Sequence, residues 1–424
     1  MSIILALIIF SVMVLFHEFG HFLLAKKNGI GVTEFSLGMG PRIASFVKGE
    51  TRYSWKLIPF GGSCIMVGED LDDKSENAFN SKSVWARISV VAAGPIFNFL
   101  LAFVLAIVYI AMIGYDKCSV VNLNESYKSV QDSGIQKGDV ITEYDGEKIV
   151  IYRDLWLYQF VNKPTYKPIV IKYIHDGKKQ TATVTPTKYY SLGISYYADK
   201  NPSTVGITKD SAVYKAGLRD NDIVTEIDGN SIETGMDISN YLKKNPLDGS
   251  EISLKITRDG KEFEYNVKPQ SGGYALGIDC GEYVKGTPLQ VLRYSFTELR
   301  YDIQATFTGF KMLFTGKASR NDVSGPVGIV KVVGDSYEQT KSYGFKYVFL
   351  QMIYLIIVLS VNLGVVNLFP FPALDGGRLV FLFIEAVRGK PVPRDKEAIV
   401  HFAGMVILML LMVLILFNDV TKFF

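Results

Sequence analysis

Four long apolar stretches, at residues 3–25, 88–113, 347–369 and 399–417, constrain this 424-residue sequence more than anything else in it. A bilayer core about 30 Å thick is crossed by roughly 20 helical residues, so each stretch can span it. Inside lipid a chain must satisfy its own backbone hydrogen bonds, which makes each stretch a helix. At 48% hydrophobic and 21% charged residues, the chain is apolar for a soluble protein yet too charged for spans alone. The expectation is a polytopic α-helical membrane protein with four transmembrane helices and a soluble part. The first stretch has neither a basic leader nor a small-residue cleavage site, so it reads as a retained span rather than a signal peptide.

Lysine and arginine set the expected orientation. They crowd the loops after spans one and three, for example Lys26, Lys27, Arg42, Arg52, Arg378, Arg388 and Lys396. Both loops are therefore expected on the cytoplasmic side, with both termini and residues 114–346 outside. The net charge of +3 and the absence of a long basic run exclude nucleic acid as an implied partner. The three cysteines, Cys64, Cys118 and Cys280, are too few and too scattered for a disulfide framework or a zinc knuckle.

The outer segment repeats itself. Residues 133–146 (SGIQKGDVITEYDG) align with 216–229 (AGLRDNDIVTEIDG), and Gly134, Asp139 and Gly146 each find their match 83 residues on, at Gly217, Asp222 and Gly229. A constant period means two copies of one module. Each copy has a glycine turn, an alternating strand and an Asp-Gly hairpin turn, and residues 168–173 and 252–257 read as further strands. The pattern resembles bacterial PDZ domains, which bind extended peptides by adding a strand to a sheet edge. Either the copies take peptides this way, or they act as a size filter. Copy one carries the bulkier Tyr127 where copy two keeps Ser211-Ala212-Val213. Beyond them, Leu289, Leu292, Phe296, Leu299, Ile303, Phe307, Phe310 and Phe314 mark an amphipathic helix, lying either on the outer membrane face or against the soluble part.

The chemistry sits in span one. Residues 17–21 read His-Glu-Phe-Gly-His. Residues four apart share a helix face, so His17 and His21 can hold one Zn²⁺ while Glu18 acts as a general base on water. Ionisable side chains in a span are costly without such a role. Catalytic zinc commonly takes three protein ligands. The best third candidate is Asp375, in the Leu-Asp-Gly-Gly run at the cytoplasmic end of span three, where the inward course of span one also places the histidines.

The joint pattern of His-Glu-x-x-His, the two repeats, and Asn-x-x-Pro-x-Pro running into Leu-Asp-Gly resembles the site-2 protease family over nearly the whole chain. The resemblance implies an intramembrane zinc metalloprotease with one Zn²⁺ on His17, His21 and Asp375 and with Glu18 as base. It further implies substrate contacts at Asn362, Asn367 and Asn98, for which helix packing is the competing reading. It makes Gly61 and Gly62, within residues 59–66, part of a membrane-inserted hairpin that presents a strand to substrate, against the alternative of a plain cytoplasmic loop. It also matches residues 323–329, without giving them a role. Expected partners are single-span membrane substrates, peptides or partner domains at the PDZ-like copies, and the lipid bilayer. The expected location is the bacterial inner membrane, with the active site near its cytoplasmic side. The implied domains are residues 1–114, 115–198, 199–285, 286–342 and 343–424. An idle scaffold would have lost a metal or base residue, and a prenyl-protein type of membrane protease would lack the Leu-Asp-Gly motif and the repeats.

Overall fold

A computed structural model describes residues 2–69, 73, 75–124, 127–318 and 323–423. The chain divides into two compact units, Met1–Tyr115 with Lys285–Phe424, and Asp116–Val284.

The first unit begins with α1 (Ser2–Lys27), which closes on Lys26 and Lys27. Cations suit both a helix C-terminus and a bilayer surface. Next come β1 (Val32–Lys48) and β2 (Thr51–Met66). Their register is doubled: residues 34–37 lie beside 62–65 on one side and beside 52–55 on the other, while 42–48 run against 51–56. The hairpin is thus folded into a small sheet with residues 62–66 at an edge. Buried Glu34 fastens it by accepting from Arg42 Nε at 2.7 Å and Ser54 Oγ at 2.6 Å. The Arg42 guanidinium pulls the Glu34 pKa down to about 2. The side chains of Pro59 and Phe60 lie outside the described residues. Then α2 (Val84–Ile113) starts where the Ser83 hydroxyl accepts the Ala86 N–H, and carries Pro95 in its interior.

The second unit holds both repeat copies. Copy one contributes β3 (Tyr115–Leu123), α3 (Lys128–Gln131), β4 (Val140–Tyr144), β5 (Glu147–Lys148), α4 (Tyr152–Val161), β6 (Ile169–His175), β7 (Lys178–Val184), β8 (Thr187–Ser191) and β9 (Ile194–Tyr196). Copy two contributes β10 (Thr204–Ile207), α5 (Ala212–Ala216), β11 (Asp222–Ile227), β12 (Asn230–Ser231), α6 (Gly235–Lys244), β13 (Ile252–Arg258), β14 (Lys261–Val267), β15 (Gln270–Ala275) and β16 (Ile278–Val284). The expected turns form at Asp145-Gly146, Asp176-Gly177, Asp228-Gly229 and Asp259-Gly260, all at positive φ, as two-residue hairpin loops demand.

The strand order crosses the sequence boundary at 198/199. One sheet runs β16-β3-β4-β6-β7 and the other β14-β13-β11-β10-β9, with β8 paired to β15. Each copy therefore gives its last strand to the sheet of the other. A period read along the chain identifies repeated units but not which sheet edge a strand joins. Each sheet has its own apolar core, one around Ile141, Tyr144 and Ile171, the other around Val224, Ile227 and Leu254. The copies differ at one ion pair. Arg258 grips buried Asp222 with Nε and Nη2, both at 2.7 Å. At the matching positions, His175 Nδ1 meets Asp139 Oδ1 at 2.7 Å.

The first unit resumes with α7 (Pro288–Phe314), α8 (Pro326–Lys341), α9 (Phe345–Leu368), α10 (Asp375–Arg388) and α11 (Arg394–Phe423). Among the described residues, α1, α2, α9 and α11 are the helices long and apolar enough to cross a membrane. The expected amphipathic helix is α7. Part of its stripe packs along the spans: Leu299, Ile303 and Phe310 join Ala102 and Ala106 of α2 and Ile353, Ile357 and Val361 of α9, while Leu289, Leu292, Phe296, Phe307 and Phe314 stay exposed. The small alanines leave a groove that large side chains fill. Residues 323–329 also find a role. Buried Asp419 of α11 accepts from the Gly325 and Gly328 amides at 3.0 and 2.8 Å, which caps α8 with a negative charge at its positive end. A Cβ at Gly325 would come within 2.5 Å of Ile415 Cγ2 and 2.9 Å of that carboxylate, so the missing side chain lets α11 approach closely there.

Candidate metal centre

The i, i+4 spacing on α1 brings the two imidazoles together, with His17 Nε2 and His21 Nε2 3.2 Å apart. The first residue of α10 completes the set: Asp375 Oδ2 lies 3.2 Å from His17 Nε2 and 3.5 Å from His21 Nε2. All three side chains are largely buried. A tetrahedral ion with ligands at about 2.0–2.1 Å separates its ligand atoms by about 3.3 Å, which matches these three distances.

The surroundings fix the proton positions. His21 Nδ1 lies 2.9 Å from the Val90 carbonyl oxygen, which can only accept, so Nδ1 carries the hydrogen and Nε2 offers its lone pair inward. His17 Nδ1 lies 3.1 Å from the Asn98 amide. The amide nitrogen faces the ring, and Oδ1 is buried with no hydrogen-bond partner. With the amide turned over, Oδ1 accepts the ring N–H and His17 Nε2 is left free as well. Asp375 Oδ2 likewise has no hydrogen-bond donor. Two imidazole lone pairs and a carboxylate facing one another without a proton between them fit a divalent cation. Nitrogen and carboxylate donors in this number suit zinc.

Tight local packing builds the cradle. A Cβ on Gly94 of α2 would stand 2.3 Å from His21 Nε2. At Gly376 and Gly377 it would run into the Phe369 and Phe371 carbonyls, at 2.1 and 2.4 Å, so the chain leading into α10 winds back on itself only with glycines. Glu18 lies beside the edge segment of the hairpin. A Cβ on Gly62 would sit 2.9 Å from Glu18 Cγ.

The other expected site residues take varied places. Gly61 turns at φ +82° against Met39. Asn98 is fully buried against His17 rather than lying on an open surface. Asn362 Oδ1 accepts from Thr306 Oγ1 of α7. Asn367 is half-buried in the last turn of α9. Sequence reasoning reached Gly94 as part of a Gly-x-x-x-Asn run ending at Asn98, and passed over Thr306, whose role depends on which helices meet. It also passed over His401, whose signal was present: an ionisable residue inside a span.

The family model described as peptidase family M50 matches residues 5–411. A zinc metalloprotease RasP of Geobacillus kaustophilus is 33% identical over 100% of this chain and 98% of its own length. The regulator of sigma-W protease RasP of Bacillus subtilis is 31% identical, covering 100% of this chain and 99% of the relative. A putative zinc metalloprotease of Vibrio cholerae is 29% identical over 98% of this chain and 97% of its own.

Proposed function

The chain belongs to peptidase family M50, the site-2 protease family, and is a zinc metalloprotease; on that premise we propose that it cleaves transmembrane segments of single-span membrane proteins within the bilayer. The observation that carries this reading is the ligand triangle of His17, His21 and Asp375, with Glu18 beside it, on a helix built to span lipid.

Zinc held there would lower the pKa of water and polarise the scissile carbonyl. Glu18 takes the proton as water attacks and delivers it to the leaving amine. Val90 and Asn98 hold the two imidazoles in the tautomers that present Nε2. A helical substrate hides its peptide bonds in its own hydrogen bonds and must unwind. The edge segment 62–66, passing directly by Glu18, supports a role in pairing with the unwound strand, with Gly61 and Gly62 giving the clearance. Asn362 and Asn367 belong to the same substrate path in this reading.

The two β-rich copies are proposed as PDZ-like modules outside the cytoplasm. A cavity of about 520 Å³ lies between the copies, lined by Tyr127, Tyr189 and Tyr190 on one side and by Ser239, Leu242 and Leu247 on the other, and gives room for a peptide segment in this reading. In copy one, the Tyr127 ring lies over Gly277, the place that Ser211 takes over Gly193 in copy two, which favours filtering over binding there. The B. subtilis relative is named for regulating sigma-W. A membrane-anchored anti-sigma factor is thus a candidate substrate here, beside remnant signal peptides.

The test is cleavage of a single-span reporter by the purified wild type and by Glu18→Gln, with zinc measured in both. A mutant that holds zinc and does not cut supports the assignment. Equal cutting by both removes Glu18 from the chemistry.

A further inference from the structure

The last span, α11, touches the rest of its unit sparingly. Only 6% of its most apolar stretch is buried, against 44% for α9. Its cytoplasmic third nevertheless makes two specific contacts, both on the short loop that leads into Asp375. His401 Nδ1 accepts the Ala373 backbone N–H at 2.9 Å. One turn along, Gly404 lies so close to the loop that a Cβ there would come within 2.4 Å of Pro372 Cβ and 2.5 Å of its carbonyl oxygen. The His401 ring also rests on Phe381 of α10, with centroids 5.4 Å apart.

The held residue is an unusual one. Ala373 has φ +76°, and it is the one alanine at positive φ among the described residues. L residues other than asparagine and aspartate avoid this region, because Cβ crowds the backbone. Such a conformation persists only where the surroundings impose it. Here the imposing groups come from α11, and the conformation they hold sets where the chain delivers Asp375, two residues later. Packing is slight for a helix this exposed, so specific contacts attach it: Asp419 to the start of α8 at one end, and His401 and Gly404 to the loop before Asp375 at the other.

We infer that His401, seated against the loop by Gly404, is a positioning residue for the metal site, fixing the Pro372–Ala373 backbone so that Asp375 meets the two histidines. The inference rests on Asp375 being the third ligand.

The test uses the full-length protein in detergent, with zinc affinity measured by competition with a chelator and ligand geometry read from the visible spectrum of the cobalt-substituted protein. His401→Leu keeps the bulk and removes the acceptor. It is expected to weaken zinc binding about tenfold or more, within the range seen when partners around a metal site are removed, and to alter the cobalt spectrum. His401→Asn places Oδ1 where the ring carried Nδ1, and is expected to restore both towards wild type. Wild-type zinc affinity in His401→Leu overturns the inference, and so does an Asn variant as weak as the Leu variant. Gly404→Ala approaches the same contact from the other side and decides the matter if His401→Leu does not purify folded: unchanged zinc affinity there also overturns it. Asp375→Ala is the reference. If it keeps zinc, the ligand assignment falls and the inference with it; if it loses zinc while His401→Leu and Gly404→Ala do not, only the inference falls.

Discussion

Replacing Gly94 by alanine adds one methyl group to the wall of the metal site. The new carbon would stand 2.3 Å from His21 Nε2, 2.7 Å from His21 Cε1 and 2.8 Å from His17 Cε1. Comfortable contacts between such atoms begin near 3.5 Å, so the rings must retreat by about 1 Å. Metal–ligand distances tolerate about 0.2 Å. In the metal-free protein the His21 ring can swing aside at the expense of its bond to the Val90 carbonyl. With zinc bound it cannot. The cost therefore falls on the loaded form. Forcing a methyl into a filled site costs about 1–3 kcal/mol, which corresponds to about 5–150-fold in zinc affinity. Stability should move the other way, because alanine is better than glycine in a helix by up to about 1 kcal/mol. Chelator competition gives the affinity, and thermal unfolding with and without chelator gives the stability. Wild-type zinc affinity in the variant would refute the reasoning. So would an equal loss of metal-free stability, since the methyl would then be disturbing helix packing rather than the site.

Asn98→Leu removes the partner of His17 Nδ1 and should weaken zinc binding by about 10–100-fold. Asn98→Asp, which can still accept the ring N–H, should weaken it less, and equal losses in the two would reject the tautomer argument. Arg258→Met leaves the carboxylate of Asp222, which is 1% exposed, with the Arg219 amide but no charge partner, and should cost copy two about 3 kcal/mol. Hydrogen exchange in β11 and β13 reports it, and unchanged protection there counts against the pair. Copy one should respond to pH. The hydrogen bond to Asp139 raises the His175 pKa above its usual 6.5, so the stability it contributes is complete below about pH 6.5 and is lost as pH climbs through the raised value. Protection of β4 and β6, corrected for intrinsic exchange, should fall from pH 6 to pH 9. Arg258 stays charged over that range, so β11 and β13 should not follow, and parallel behaviour of the two copies would dismiss the idea.

The sequence by itself determined whatever a short window can encode. Runs of about 20 apolar residues specify spans, because lipid leaves the backbone no other partner. The i, i+4 pair His17 and His21 shares a helix face wherever that helix packs. The Asp-Gly turns and the 83-residue period came from chain-local patterns. Asp375 was legible because a motif and a membrane depth both pointed to it. The tertiary structure alone decided matters between distant segments. It placed β9 and β16 in each other's sheets, since a strand's alternation does not specify its neighbour. It laid α7 in the alanine-lined groove of α2 and α9, where amphipathicity fixed the face but not the surface it would meet. It also seated Asn98 on His17 and His401 on Ala373. Those contacts depend on ångström-level packing of helices far apart in the chain, and a single side chain gives no local sign of its partner.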